Sequence, residues 1–162
     1  MNEVVKVGMA DLKVIAEYGI LTTLGLGSCV GIALYDKTTK IAGLAHIMLP
    51  SSKLIKNNQN KAKFADTAVE LLLEIMTDMK ASKRHITAKI AGGAQMFSFK
   101  EKASELLNIG ERNVLATIET LNQHNIPIIA QDTGGSYGRT IELYAENGIL
   151  IVKTIGHGIK TL

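Results

Sequence analysis

The 162-residue chain is poor in the features that most readily announce a function. It holds one cysteine, so no internal disulfide can form, and nothing groups Cys with His at zinc-site spacing. A lone free thiol fits a reducing compartment. No apolar run approaches the roughly 18 residues that a membrane span requires. The opening Met1-Asn2-Glu3-Val4-Val5-Lys6 places an acid and a lysine where a secretory leader would carry a long apolar core. A cytoplasmic protein with no membrane insertion and no metal is expected. Aromatic residues amount to 4% and the net charge is only +3. The densest basic stretch, Lys53 to Lys63, has no aromatic interleaved, and a nucleic-acid partner, which wants a basic stripe with stacking platforms, is not expected. No Gly-Lys-Ser/Thr occurs, which removes a P-loop. Gly25-Leu26-Gly27 runs on into a strand rather than a helix, which removes a dinucleotide fingerprint.

What is present reads as mixed α and β. Short strand-like runs cover Val4–Val7, Lys13–Ala16, Gly19–Leu24 and Cys29–Tyr35. Asp36 to Thr39 is a turn cluster and Lys40–Leu49 resumes as a strand, so the two flanking runs predict a hairpin. Phe64, Ala68, Leu71, Leu72, Ile75 and Met79 recur at helical spacing over residues 62–79. Ile86–Ala91 alternates as a strand and stops at Gly92-Gly93. A second helix is predicted over residues 110–124 with Val114, Leu115, Ile118 and Leu121 inward. Pro127–Ala130 is a short strand, and Arg139–Ala145 and Gly148–Ile155 form a hairpin around Glu146-Asn147-Gly148. His157 falls near a frayed end. Strands do not alternate strictly with helices, which argues against a doubly wound parallel sheet. One α/β domain over residues 1–162 is expected, as a mixed sheet or two layered sheets with helices outside. A chain this long can bury roughly 70% of its unfolded surface without a disulfide or metal.

Three glycine-rich loops each follow a predicted strand: Gly25-Leu26-Gly27-Ser28, Ala91-Gly92-Gly93-Ala94, and Asp132-Thr133-Gly134-Gly135-Ser136-Tyr137-Gly138. Glycine permits positive φ and close backbone approach, and such loops can aim N–H groups at a developing anion. Tight turns and bulges without chemistry are the alternative for any one of them. Cys29 follows the first loop. A buried cysteine is usually inert, whereas a catalytic thiol needs a base to take its proton. Counting back from the turn, Lys40 faces Tyr35 and His46 faces Cys29, with Cβ atoms about 4.5–5.5 Å apart in such a pair. A thiolate–imidazolium ion pair would then raise the thiolate fraction. His85, His124 and His157 sit in less suitable settings. No carboxylate stands near the turn to orient the imidazole, but Thr22, Thr23 and Ser28 offer hydroxyls, Thr23 six residues before the cysteine.

Six segments together resemble the CheD family of chemoreceptor glutamine deamidases: T-L-G-L-G-S-C-V at 23–30, A-H-I-M-L-P at 45–50, K-F-A-D-T-A at 63–68, A-K-I-A-G-G-A-Q-M-F at 88–97, N-I-G-E-R-N at 108–113 and D-T-G-G at 132–135. The resemblance implies Cys29 as nucleophile, His46 as its base and Thr23 as the residue orienting the ring. Gly27, Ser28, Gly92, Gly93, Gly134 and Gly135 are candidates for the substrate and oxyanion site. It implies a layered α/β/β sandwich similar to the catalytic domain of the deamidating cytotoxic necrotizing factor toxins. It further implies hydrolysis of receptor glutamine to glutamate without a cofactor, through a thioester that would also serve the methylesterase activity of some members. The implied partners are methyl-accepting chemoreceptors and a CheC-type phosphatase. A non-catalytic regulator that binds receptor and CheC is the alternative.

Overall fold

A computed structural model describes residues 3–96 and 108–162. Phe97, which ends one of the six segments above, lies outside them. The described residues form strands β1 (Val4–Lys6), β2 (Leu12–Ala16), β3 (Ile20–Leu26), β4 (Val30–Asp36) and β5 (Ile41–Ile47), then helix α1 (Ala65–Asp78). Strand β6 (Ile86–Gly92), helix α2 (Ile109–Gln123), and strands β7 (Ile128–Thr133), β8 (Arg139–Tyr144), β9 (Leu150–Thr154) and β10 (Gly158–Thr161) follow. They build two mixed five-stranded sheets, ordered β1-β3-β8-β9-β10 and β2-β5-β4-β6-β7. The parallel pairings are β1 with β3 and β6 with β7.

Burial separates the layers. Strand β4 is buried along its whole length, so both of its faces are apolar and its sequence reads as a continuous run. Val30, Ile32 and Leu34 pack with Ala68, Leu72 and Met76 of α1 and Leu121 of α2. Cys29, Ala33 and Tyr35 face the other way, against Leu21, Leu26, Ile141, Leu143 and Val152 of the first sheet. Helices, second sheet and first sheet therefore stack in that order. The period-2 alternation of β4 is what assigns Cys29 to the layer between the sheets.

The expected strands are present, with three differences. Strand β10 was not foreseen; all four of its residues are exposed, so it lacks the apolar alternation that would mark it. On α1 the buried stripe is Ala65, Ala68, Val69, Leu72, Leu73 and Met76, rotated from the expected one, and Met79 is 39% exposed. Half-buried Leu71 and Ile75 widen the apolar band beyond this stripe, and packing on the sheet selects among its members. On α2, Leu115 is 57% exposed, and the buried face is Gly110, Asn113, Thr117, Thr120 and Leu121. Thr117 and Thr120 satisfy their hydroxyls on the carbonyls of Asn113 and Ala116, both at 2.8 Å, so small polar residues line a face that apolar periodicity does not reveal.

Asp36 closes the β4–β5 hairpin. Its carboxylate accepts from the Thr38 N–H at 2.8 Å, the Thr38 hydroxyl at 2.6 Å and the Ser82 N–H at 2.8 Å. Burial alone would raise its pKa, but these hydrogen bonds outweigh it and hold the group at about 2 against an ordinary 3.8. A folded-state value below the unfolded one stabilises the fold above pH 3.8, and that contribution is lost as pH falls toward 2. Asp36→Ala is expected to lower stability by about 2 kcal/mol at pH 7, with the gap to wild type narrowing at pH 3 in urea unfolding.

Candidate active site

Thr23, His46 and Cys29 come from three segments that meet at one end of the inter-sheet layer. Thr23, on β3 of the first sheet, donates its hydroxyl proton to the Val7 carbonyl at 2.7 Å. The same oxygen lies 2.7 Å from Nδ1 of His46, on β5 of the second sheet. A hydroxyl has one proton, already given to Val7, so toward the ring it can only accept. Nδ1 therefore carries the imidazole proton, and Nε2 holds a bare lone pair. His46 is 1% exposed, and Nε2 has no hydrogen-bond partner among the described residues.

The hairpin register differs from the expected one by two residues: Tyr35 pairs with Ala42, and His46 faces Gly31 rather than Cys29. The loop has the length the turn cluster implied but lies one residue later, since Asp36 pairs with Ile41 and Lys40 closes it at φ +57. A slip of two preserves the face, whereas a slip of one would have reversed it. Cys29, just before β4, and His46 on β5 thus stand diagonally on the same side of the second sheet. Gly31 between them has no side chain because the space belongs to the first sheet; a Cβ there would lie 2.5 Å from Ile141 Cδ1.

Burial pushes the Cys29 thiol above its ordinary 9.0, partly offset by its own backbone N–H, and pushes His46 below 6.5. Both directions favour the neutral form of their group, and so run opposite to the ion pair expected from the residue types. Nε2 is then free to take the proton during attack.

The three glycine loops converge here. The Gly93 N–H donates to the Cys29 carbonyl at 2.8 Å, the Ala94 N–H to Gly27 at 2.8 Å, the Gly134 N–H to Gly92 at 3.0 Å and the Gln95 N–H to Gly135 at 2.9 Å. Gly92, at φ +110, passes so close to the Cys29 carbonyl that any Cβ would overlap it. The Gly27 N–H is turned onto Gly25 of its own loop at 3.0 Å, while the amides of Gly93 and Gly134 lace the loops together. Among the described residues no carbonyl outside the strands accepts from the Ser28 or Cys29 N–H. A cavity of about 270 Å³ opens beside the loops, lined by Gly93, Gln95, Glu111, Val114, Thr133, Gly134 and Gly135.

Two residues at the site escaped the sequence reading. Arg139, almost fully buried, runs beneath the loops with Nε 3.3 Å from Asp132 and Nη1 3.4 Å from the Gly92 carbonyl. Asn113 of α2 donates to the Ser28 carbonyl at 2.9 Å and the Met48 carbonyl at 3.0 Å. Asn113 lay outside the expected inward set of Val114, Leu115, Ile118 and Leu121, so apolar periodicity gave no signal for it.

Residues 48–154 match the family described as CheD, chemotactic sensory transduction. The chain belongs to the CheD family. It is 60% identical over 159 residues to a probable chemoreceptor glutamine deamidase CheD of Caldanaerobacter subterraneus, covering 98% of each chain. It is 50% identical to the chemoreceptor glutamine deamidase CheD of Halalkalibacterium halodurans, covering 100% of each. Thr23, Cys29 and His46 precede the family match but fall within these CheD-wide similarities. Among the described residues no helix is long and apolar enough to cross a membrane.

In ¹⁵N NMR, His46 is expected as the Nδ1–H tautomer at pH 7, with a titration midpoint below 6.5. Alkylation of Cys29 by iodoacetamide should still be accelerating as pH passes 9. A thiolate already fully reactive at pH 7, with His46 still protonated there, would instead establish a preformed ion pair.

Proposed function

We propose that this CheD-family chain is a cysteine-dependent protein-glutamine deamidase whose substrates are methyl-accepting chemoreceptors. The observation that carries the reading is the Thr23–His46 hydrogen bond. It leaves a buried, unprotonated Nε2 on the face that presents the chain's only thiol. The names of relatives that match along their full length support the substrate class.

In the proposed mechanism, Nε2 takes the Cys29 proton as Sγ attacks the side-chain amide carbon of a glutamine. The oxyanion of the tetrahedral intermediate is held by backbone N–H groups, for which Cys29 and Ser28 are the candidates. The imidazolium, still anchored through Nδ1–H to Thr23, returns its proton to the departing nitrogen. Ammonia leaves and a thioester remains. His46 then draws a proton from water, hydroxide adds to the thioester carbon, and collapse restores the thiol and releases glutamate. Thr23 supplies orientation without a negative charge, so the imidazolium is less stabilised than beside a carboxylate. A thiol, far more acidic than an alcohol, needs less assistance from its base. Gly92, Gly93, Gly134 and Gly135 shape the approach to sulfur.

The α/β/β layering supports the likeness to the necrotizing factor toxins. A free thiol and the lack of a spanning helix among the described residues support a cytoplasmic location, where receptors expose their modified segments. Family membership supports a CheC-type phosphatase as partner.

The test is mass spectrometry of a purified chemoreceptor cytoplasmic fragment incubated with the protein. A gain of about 1 Da at specific glutamines, with ammonia release, is expected for wild type. Cys29→Ala should abolish it, and His46→Ala should reduce it by at least about 100-fold, the scale of general acid–base catalysis. Receptor binding that persists with no mass change in wild type would identify a regulator without turnover.

A further inference from the structure

Asn113 is poorly suited to its position unless it serves the site. It lies in the second turn of α2, where asparagine is a weak helix former, and it is 0% exposed. Its Oδ1 has no partner among the described residues, and an unsatisfied buried acceptor is costly. Both N–H bonds of the side-chain amide are used, one on the Ser28 carbonyl and one on the Met48 carbonyl. Two carbonyls at one end of the side chain admit only the NH₂ group there, which sets the amide's orientation.

The two acceptors are informative. The Ser28 carbonyl belongs to the same peptide unit as the Cys29 N–H. That unit is planar and trans, so anchoring its oxygen toward α2 directs its N–H the opposite way. The carbonyl on the other side of Cys29 is held by the Gly93 N–H, so the nucleophile is clamped on both flanks. Met48 follows His46 by two residues, and its carbonyl ties the exit of β5 to the same side chain. One helix residue thus spans the strand bearing the base and the turn bearing the thiol.

We infer that Asn113 is the positioning residue of the oxyanion hole: by bonding the Ser28 carbonyl it orients and polarises the Cys29 N–H toward the tetrahedral intermediate. The inference rests on the deamidase reading. A hydrogen bond to the carbonyl of a peptide strengthens the N–H of the same peptide as a donor, so Asn113 acts on the transition state without touching substrate.

The test separates this role from simple structural support. Iodoacetamide alkylation of Cys29 forms no oxyanion, whereas deamidation does. Asn113→Ala is expected to lower kcat about 100-fold, the scale of losing one oxyanion donor. Its KM, alkylation rate and alkylation pH profile should stay within threefold of wild type. An unchanged kcat, or alkylation falling in parallel with kcat, would overturn the inference. A measurement on wild type covers the case in which the variant does not fold. A peptide bearing glutamate γ-semialdehyde should add to Cys29 as a hemithioacetal, moving the Cys29 amide proton and the Asn113 proton bound to Ser28 downfield together. A Cys29 shift without one at Asn113 also overturns it. If wild type and Cys29→Ala are equally inactive on receptor, the underlying reading is what fails. Active wild type, inactive Cys29→Ala and unaffected Asn113→Ala reject only the role of Asn113.

Discussion

The Thr23 hydroxyl has one proton to give, and its destination organises the site. Because the Val7 carbonyl takes it, the oxygen turns an acceptor toward His46, the ring takes the Nδ1–H tautomer, and the lone pair emerges on the nitrogen away from the threonine. A carboxylate would impose the same tautomer and add a charge to a buried layer, where an unpaired ion is expensive. The threonine does the orienting with a neutral group. That choice agrees with the directions of the two shifts, both of which favour the uncharged forms.

Around this contact the fold does two jobs. The alternation of β4 and β5 puts the thiol and imidazole on one face of the second sheet, and the glycine loops bring backbone close enough to brace the turn on both sides of sulfur. Small side chains recur where elements approach most closely: Gly31 under Ile141, Gly92 against the Cys29 carbonyl, and Gly110 against the Gly93-Ala94 backbone. Burying a polar hydrogen-bonded cluster between two sheets works because nearly every donor finds an acceptor. Among the described residues the side-chain atoms of this cluster without a partner are His46 Nε2, Asn113 Oδ1 and Arg139 Nη2, which lie at the chemistry or directly behind it.

The strands were legible because turn residues punctuate apolar runs, and the face shared by Cys29 and His46 was legible because sheet geometry repeats every two residues. Register was not, since Asp36, whose residue type reads as turn, is the last strand residue and pairs with Ile41. Strand β10 was hidden because pairing to β9 through backbone bonds alone leaves no side-chain signature. The polar face of α2 was hidden for a related reason: Asn113, Thr117 and Thr120 are inward for hydrogen bonding, and a search for apolar periodicity points to Leu115 instead. Thr23 could be nominated from its chemistry, but its bond to Val7, which settles the tautomer, joins residues 16 positions apart through a parallel pairing that no local pattern encodes.

The threonine and the histidine belong to different sheets, joined through side-chain packing in the layer between them. Their alignment is therefore a gauge of sheet spacing. Within a sheet, backbone hydrogen bonds resist sliding; between sheets, interdigitated apolar groups such as Ile141, Leu26 and Leu143 do, pinned by a few polar ties such as Arg139 to Asp132 and Tyr35 to the Ala145 carbonyl. A small shear of one layer over the other would leave every strand intact and the fold cooperative, yet would carry the acceptor away from the ring and free the wrong tautomer. Catalytic competence in such an architecture is a mechanical property of the sandwich, sensitive to thermal expansion, to pressure and to the volume of core side chains far from sulfur.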